Sequence, residues 1–109
     1  MAWTVLFLAG CFEVAWAVAL RYSQGFTRLW PSIIFGVTAW LSFMLLSQAL
    51  KSIPMGTAYA VWTGIGAVGV AIFGIFAFSE SASLPRVLCI ALIVIGILGL
   101  RFTEGGSAP

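Results

Sequence analysis

Four long apolar runs, at residues 2–20, 31–50, 54–78 and 85–101, are separated only by short linkers. A helix crossing the roughly 30 Å hydrocarbon core of a bilayer needs about 20 such residues. Four spans use about 80 residues and leave about 30 for linkers and tails. The 109 residues therefore leave no room for an extramembrane domain. The expected fold is all-α: a single four-helix transmembrane domain over residues 1–109, in contact with the lipid bilayer. Transmembrane β-strands would show period-two alternation and closer turns, and neither is present.

Charge supports the same reading by exclusion. Five Lys/Arg and three Glu are the only charged residues, 7% of the chain. A soluble domain carries about 25% and could not cover its surface with so few. A net charge of +2 is no basic patch, which excludes nucleic-acid binding. With no His, no Asp and two Cys, neither a zinc centre nor a Ser-His-Asp triad can be built. No cofactor is expected, and no enzyme. A Ser-Lys pair is excluded as well, because Lys51 lies at the end of a span.

Pro31, Pro54 and Pro85 are expected to open the last three spans, where a missing N–H costs nothing. Linkers at 21–30, 51–53 and 79–84 are short enough to make consecutive helices antiparallel neighbours. Ala17-Val18-Ala19 resembles a signal-peptide cleavage site. No cation precedes the run and a Glu lies inside it, so it reads as a mature helix. Cys11 and Cys89 lie within spans and read as packing residues. Residues 103–109 read as a small, polar, frayed tail.

Orientation is set by Lys and Arg in short loops. The side of the N-terminus holds Lys51 and Arg101, and the other holds Arg21, Arg28 and Arg86. So slight a bias permits insertion both ways, and hence an antiparallel dimer. It equally permits a small chain that inserts one way with few charges. Gly96 and Gly99 stand amid Leu92, Ile93, Ile95 and Leu100, and small residues let helices approach closely in lipid. They are the candidate dimer-packing positions.

Glu13 is the one acid inside a span. It lies ten residues, about 15 Å of helix, from Trp3, near the bilayer centre. A charge there costs about 2.5–3.5 kcal/mol on insertion scales, so such residues are functional by default. Its helix face carries Leu6, Ala9, Gly10, Trp16, Ala17 and Leu20, with Ala9, Gly10 and Ala17 expected to leave space beside the carboxylate. This acid can hold a proton or a cation but not comfortably both, which is the core of proton/cation exchange.

The third span aligns Gly56, Tyr59, Trp62, Thr63, Gly66 and Val70 on one face. Tyr59 can donate to a carboxylate, and Trp62 can offer an N–H or a π face. The glycines from Gly64 to Gly69 make that helix thin and bendable. In the second span, Ser42 either bonds its own helix or orients Glu13, with Thr38 one turn earlier. Trp3 and Trp30 read as interfacial anchors, and Trp40 as lipid-facing.

Three stretches carry a family resemblance: Cys11-Phe12-Glu13-Val14-Ala15-Trp16-Ala17, the run from Tyr22 to Ser32, and the run from Pro54 to Gly66. Together they resemble the small multidrug resistance family over essentially the whole chain. Trp16 three residues after the acid, Gly56-Thr57-Ala58-Tyr59-Ala60 and Trp62-Thr63-Gly64 resemble its guanidinium-exporting branch rather than its drug-exporting one. The resemblance implies an antiparallel, dual-topology homodimer in a bacterial inner membrane, with Glu13 as the shared substrate and proton site. It implies a polar network of Gly10, Trp16, Ser42 and Trp62, with Tyr59 as a gating and binding aromatic. The expected activity is proton-coupled export of guanidinium. The rivals are export of quaternary ammonium drugs on the same scaffold, a passive guanidinium channel, and a non-transporting membrane assembly factor.

Overall fold

A computed structural model describes residues 1–106, with side chains through residue 103. Among the described residues the chain forms four helices: α1 (Ala2–Tyr22), α2 (Leu29–Ala49), α3 (Met55–Ala77) and α4 (Leu84–Gly106). All four are long and apolar enough to cross a membrane. This is a multi-pass membrane protein.

The helix ends differ from the sequence expectation in ways that backbone chemistry explains. Only Pro54 stands at a helix boundary, as the N-cap of α3. Helix α2 begins at Leu29 and α4 at Leu84, so Pro31 and Pro85 lie inside first turns. First-turn N–H groups have no intrahelical partner, so proline is tolerated at those positions too. At its C-terminal end α1 continues through Arg21 and Tyr22, and α4 continues to Gly106. Residues 103–106 of the expected tail are therefore helical, and 107–109 lie outside the described residues.

The α1–α2 turn is built on Ser23, which is fully buried. Its hydroxyl donates to the Leu20 carbonyl at 2.6 Å and accepts from the Phe26 N–H at 3.2 Å. Its own carbonyl accepts from Thr27 and Arg28 at 2.9 and 3.1 Å. Gln24, Gly25 and Phe26 adopt φ of 49°, 75° and 66°, the left-handed region that glycine favours. That turn places the Phe26 ring 5.3 Å from Phe35 of α2, so the loop is packed onto the helix it precedes.

Helix α1 is central and packs on both α2 and α3, while α4 packs against α3. The core contains Leu6 and Ala9 of α1, Ala49 at the end of α2, Ile53 in the linker after it, and Ala58, Val61 and Trp62 of α3. It lies toward the N-terminal end of α1. None of α4's described residues is buried.

Four of the five glycines of α3 receive neighbouring side chains, Gly56 being the exception. Gly66 seats Glu13, Gly69 seats Val14 and Gly74 seats Glu80. A Cβ on Gly64 would come 2.9 Å from Ile97 of α4. Close approach therefore accounts for these residues, and α3 runs as one continuous helix from Met55 to Ala77.

At one end of the bundle the Arg101 guanidinium lies over the Trp3 ring at 4.9 Å. At the other end Arg21 lies over Phe78 at 3.9 Å, and Arg86 pairs with Glu80 at 2.8 Å. The Arg21 and Arg101 guanidinium groups thus lie on aromatic faces, with their charge at the span ends.

Candidate functional site

Glu13 lies in the middle of α1 with its side chain against Gly66 of α3. Only a residue without a Cβ leaves room for a carboxylate there. The Glu13 Oε1 is buried and has no hydrogen-bond partner among the described residues. Trp16, one turn further along the same face, has a buried indole N–H that is equally unpartnered among them. Buried polar groups in folded proteins are nearly always paired. Two such groups, one turn apart on α1, keep hydrogen-bonding capacity to spare for a ligand or a second chain.

Ser42 bonds neither its own helix nor the Glu13 carboxylate, but it does pair with Trp62, as the family resemblance implies. Its hydroxyl donates to the backbone carbonyl of Ala9 at 2.7 Å and accepts from the Trp62 indole N–H at 3.0 Å. The hydroxyl therefore joins α1, α2 and α3 at one fully buried point. In an intact helix the Ala9 carbonyl also receives the N–H of residue 13. Ser42 thus fixes the turn of backbone that carries Glu13, and makes no bond to the carboxylate itself. The Trp62 N–H is likewise spent on Ser42 and not on Glu13. Thr38 and Thr63, by contrast, bond carbonyls of their own helices at 2.6 and 2.9 Å.

An aromatic wall surrounds these groups. The Trp16 ring meets Phe35 edge-on at 5.8 Å and stacks on Phe43 at 6.3 Å. Phe43 meets Trp62 at 5.3 Å, and Trp62 meets Tyr59 at 5.7 Å. Tyr59 ends the wall on an exposed face. Aromatic faces carry negative quadrupole density and attract cations. A protonatable acid, an N–H donor and a π-rich wall in one low-dielectric place can hold an organic cation or, in exchange, a proton. Phe35 and Phe43 were not singled out from sequence. The available signal was their eight-residue spacing, which puts both near one face of α2.

Other expectations need correction. The space beside Gly10 is taken by Ile65, whose Cγ2 lies 2.6 Å from where a Gly10 Cβ would stand. Gly10 is thus an apolar packing position within the chain, and neither it nor the buried Ala9 leaves an open cleft beside the acid. Cys11 and Cys89 are exposed and are not core packing residues. Gly96 and Gly99 of α4 have nothing within 4 Å of an added Cβ, so their face is open. Trp30 and Trp40 are exposed, as anchoring and lipid-facing positions require.

The family model described as Small Multidrug Resistance protein matches residues 1–93. A guanidinium exporter of Proteus vulgaris is 57% identical over 104 residues, 95% of this chain and 100% of that protein. One from Yersinia pseudotuberculosis serotype I (strain IP32953) is 59% identical over 104 residues, with the same coverage. One from Salmonella typhimurium (strain LT2) is 55% identical over 103 residues, 94% of this chain and 98% of that protein. With its four spans, its lone intramembrane acid and matches of this extent, the chain belongs to the small multidrug resistance family.

Proposed function

We propose that the chain is a proton-coupled antiporter that exports guanidinium from a bacterial cell across the inner membrane, as an antiparallel homodimer working by alternating access. The observation that carries this reading is the pair of buried, unpartnered groups in mid-span, the Glu13 carboxyl and the Trp16 indole N–H. The names of the relatives supply the substrate.

Guanidinium is a planar cation with a fork of N–H donors, which a carboxylate accepts bidentately. Two copies in opposite orientation would bring two Glu13 side chains to one site. Protons and guanidinium would compete for them, so coupling needs no pathway between separate sites. Ser42 holds the Glu13 turn and Trp62 in register, and Trp16 and Tyr59 supply aromatic contact and gating. Gly10 keeps α1 close to α3, and Gly96 and Gly99 meet the partner copy. Two protons entering for one guanidinium leaving would move one net charge per cycle.

The test is guanidinium-evoked charge movement in proteoliposomes, with wild type beside Glu13→Gln. Wild type is expected to move charge, drive proton counterflow and ignore bulky aromatic cations, while Glu13→Gln is silent. Current with a quaternary ammonium ion and none with guanidinium would transfer the reading to drug export. Guanidinium flux indifferent to a pH gradient would indicate a passive channel. Silence with both cations from folded protein would favour an assembly factor in which Glu13 holds helices together.

A further inference from the structure

We propose that each chain also binds one anionic phospholipid on its outer surface, with an acyl chain in the groove between α1, α3 and α4 and the headgroup on Arg101. The groove holds about 420 Å³ and is lined by Phe7, Cys11 and Val14 of α1, Val68 and Gly69 of α3, and Leu98 of α4, among other apolar residues. Gly69 shapes its floor, because any side chain there would strike Val14. Toward the N-terminal end it runs into a smaller cleft that shares Phe7, Ile65, Ile97 and Leu98 and closes on Trp3 and Arg101.

The chemistry of the two ends differs as a phospholipid requires. The deep end is wholly apolar. At the mouth the Arg101 guanidinium is held 4.9 Å from the Trp3 ring and makes no ion pair among the described residues. From Trp3 to Val14 is eleven residues, about 16 Å of helix. That matches one leaflet, half of the roughly 30 Å hydrocarbon core. A phosphate at the Arg101 level would therefore place its acyl chain along the groove and end it near the bilayer centre.

Neither the transport site nor the proposed dimer face competes for this surface. Cys11 is two residues from Glu13, about 160° around α1, so the groove lies on the far side from the acid. On α4, Val94, Leu98 and Arg101 lie roughly opposite Gly96 and Gly99. A partner docked on those glycines leaves the groove facing lipid. The cation at the mouth selects an anionic headgroup over a zwitterionic one.

Native mass spectrometry of the intact protein tests this, with equal phosphatidylglycerol and phosphatidylcholine of matched acyl chains. Wild type is expected to retain phosphatidylglycerol over phosphatidylcholine by about fivefold, the worth of one basic side chain near an anionic surface. Arg101→Gln should erase that preference and Arg101→Lys should keep it. Cys11→Trp should fill the groove and bring retention of both lipids to background. Arg86→Gln, at the opposite end, should change nothing. Glu104 is three residues beyond Arg101; removing its charge with Glu104→Gln should not lower retention.

If Arg101→Gln fails to fold, Arg101→Lys and Cys11→Trp decide the matter. Undiminished lipid retention in Cys11→Trp, or an intact preference in folded Arg101→Gln, overturns the proposal. So does displacement of the lipid by free glycerol phosphate at equal concentration, which would mean that the groove contributes nothing. A larger oligomer that forms on lipid removal and is abolished by Cys11→Trp would assign the groove to a second copy instead.

Discussion

Ser42 shows how one hydroxyl can organise a site without touching its reactive group. It ties the Ala9 carbonyl to the Trp62 indole across three helices. Replacing it with Ala leaves a buried indole N–H without a partner, a loss of about 1–3 kcal/mol for soluble proteins. Interhelical hydrogen bonds in bilayers average about 0.6 kcal/mol. The expected cost of Ser42→Ala is therefore about 1 kcal/mol of unfolding free energy in mixed micelles, together with a drop in transport. Thr38→Val is the matched control, because Thr38 bonds only carbonyls of its own helix. Equal stability in the two variants would show that the three-helix junction contributes nothing. The sequence places Ser42 at mid-span and offers two partners for it. Neither is the observed one, because spacing along a helix names a face but not the atom that meets it; the pairing with Trp62 was implied only by the family resemblance.

At the scale of the element, α3 is defined by where its glycines lie. Gly66 is filled by Glu13, whereas Gly56 faces open space. Gly66→Ala is expected to displace the carboxyl and lower transport by roughly ten- to a hundredfold, the scale of an ångström-sized misplacement of a reacting group. Gly56→Ala should keep the fold or stabilise it by up to about 1 kcal/mol through helix propensity. Comparable folded yields with divergent transport would confirm that Gly66 is a seat for the acid, and unchanged transport in Gly66→Ala would refute it. Hydropathy and length alone recover all four helices to within a few residues, save the C-terminal end of α4. The starts of α2 and α4 were misplaced because proline is as comfortable inside a first turn as at its edge. Glu13, Ser42 and Trp62 were legible as polar or aromatic groups at depth, whereas the site role of Trp16 and the gating role of Tyr59 came only from the family resemblance. Gly66 was legible only as a place to bend, since a seat for another side chain requires knowing how two helices are rotated against each other.

For the whole molecule, two ends so similar in charge predict insertion in both directions. Lys51 and Arg101 mark one end, and Arg21, Arg28 and Arg86 the other. A Ser81→Cys reporter in the α3–α4 loop, with Cys11 and Cys89 replaced by Ala, reads this directly. An impermeant thiol reagent is expected to label about half the chains from each side of the membrane. Labelling from one side alone would rule out the antiparallel pair. On the proposed reading, the two copies would meet at the Gly96–Gly99 face, which is open in the single chain.

The junction at Ser42 also dictates an order of birth. It joins residues 9, 42 and 62, and so cannot close until the third helix has left the ribosome and entered the bilayer. Chains are threaded from the N-terminus, and their parts settle as they emerge. During that interval the Ser42 hydroxyl can already donate to the Ala9 carbonyl, because α1 and α2 both precede α3, and only its acceptor side waits for the Trp62 indole. The acid at Glu13 meanwhile waits in lipid without its glycine seat. The arrival of α3 supplies the seat and the indole together, so the centre of this protein is completed in a single late step. Helix α4, synthesised last, adds no residue to it.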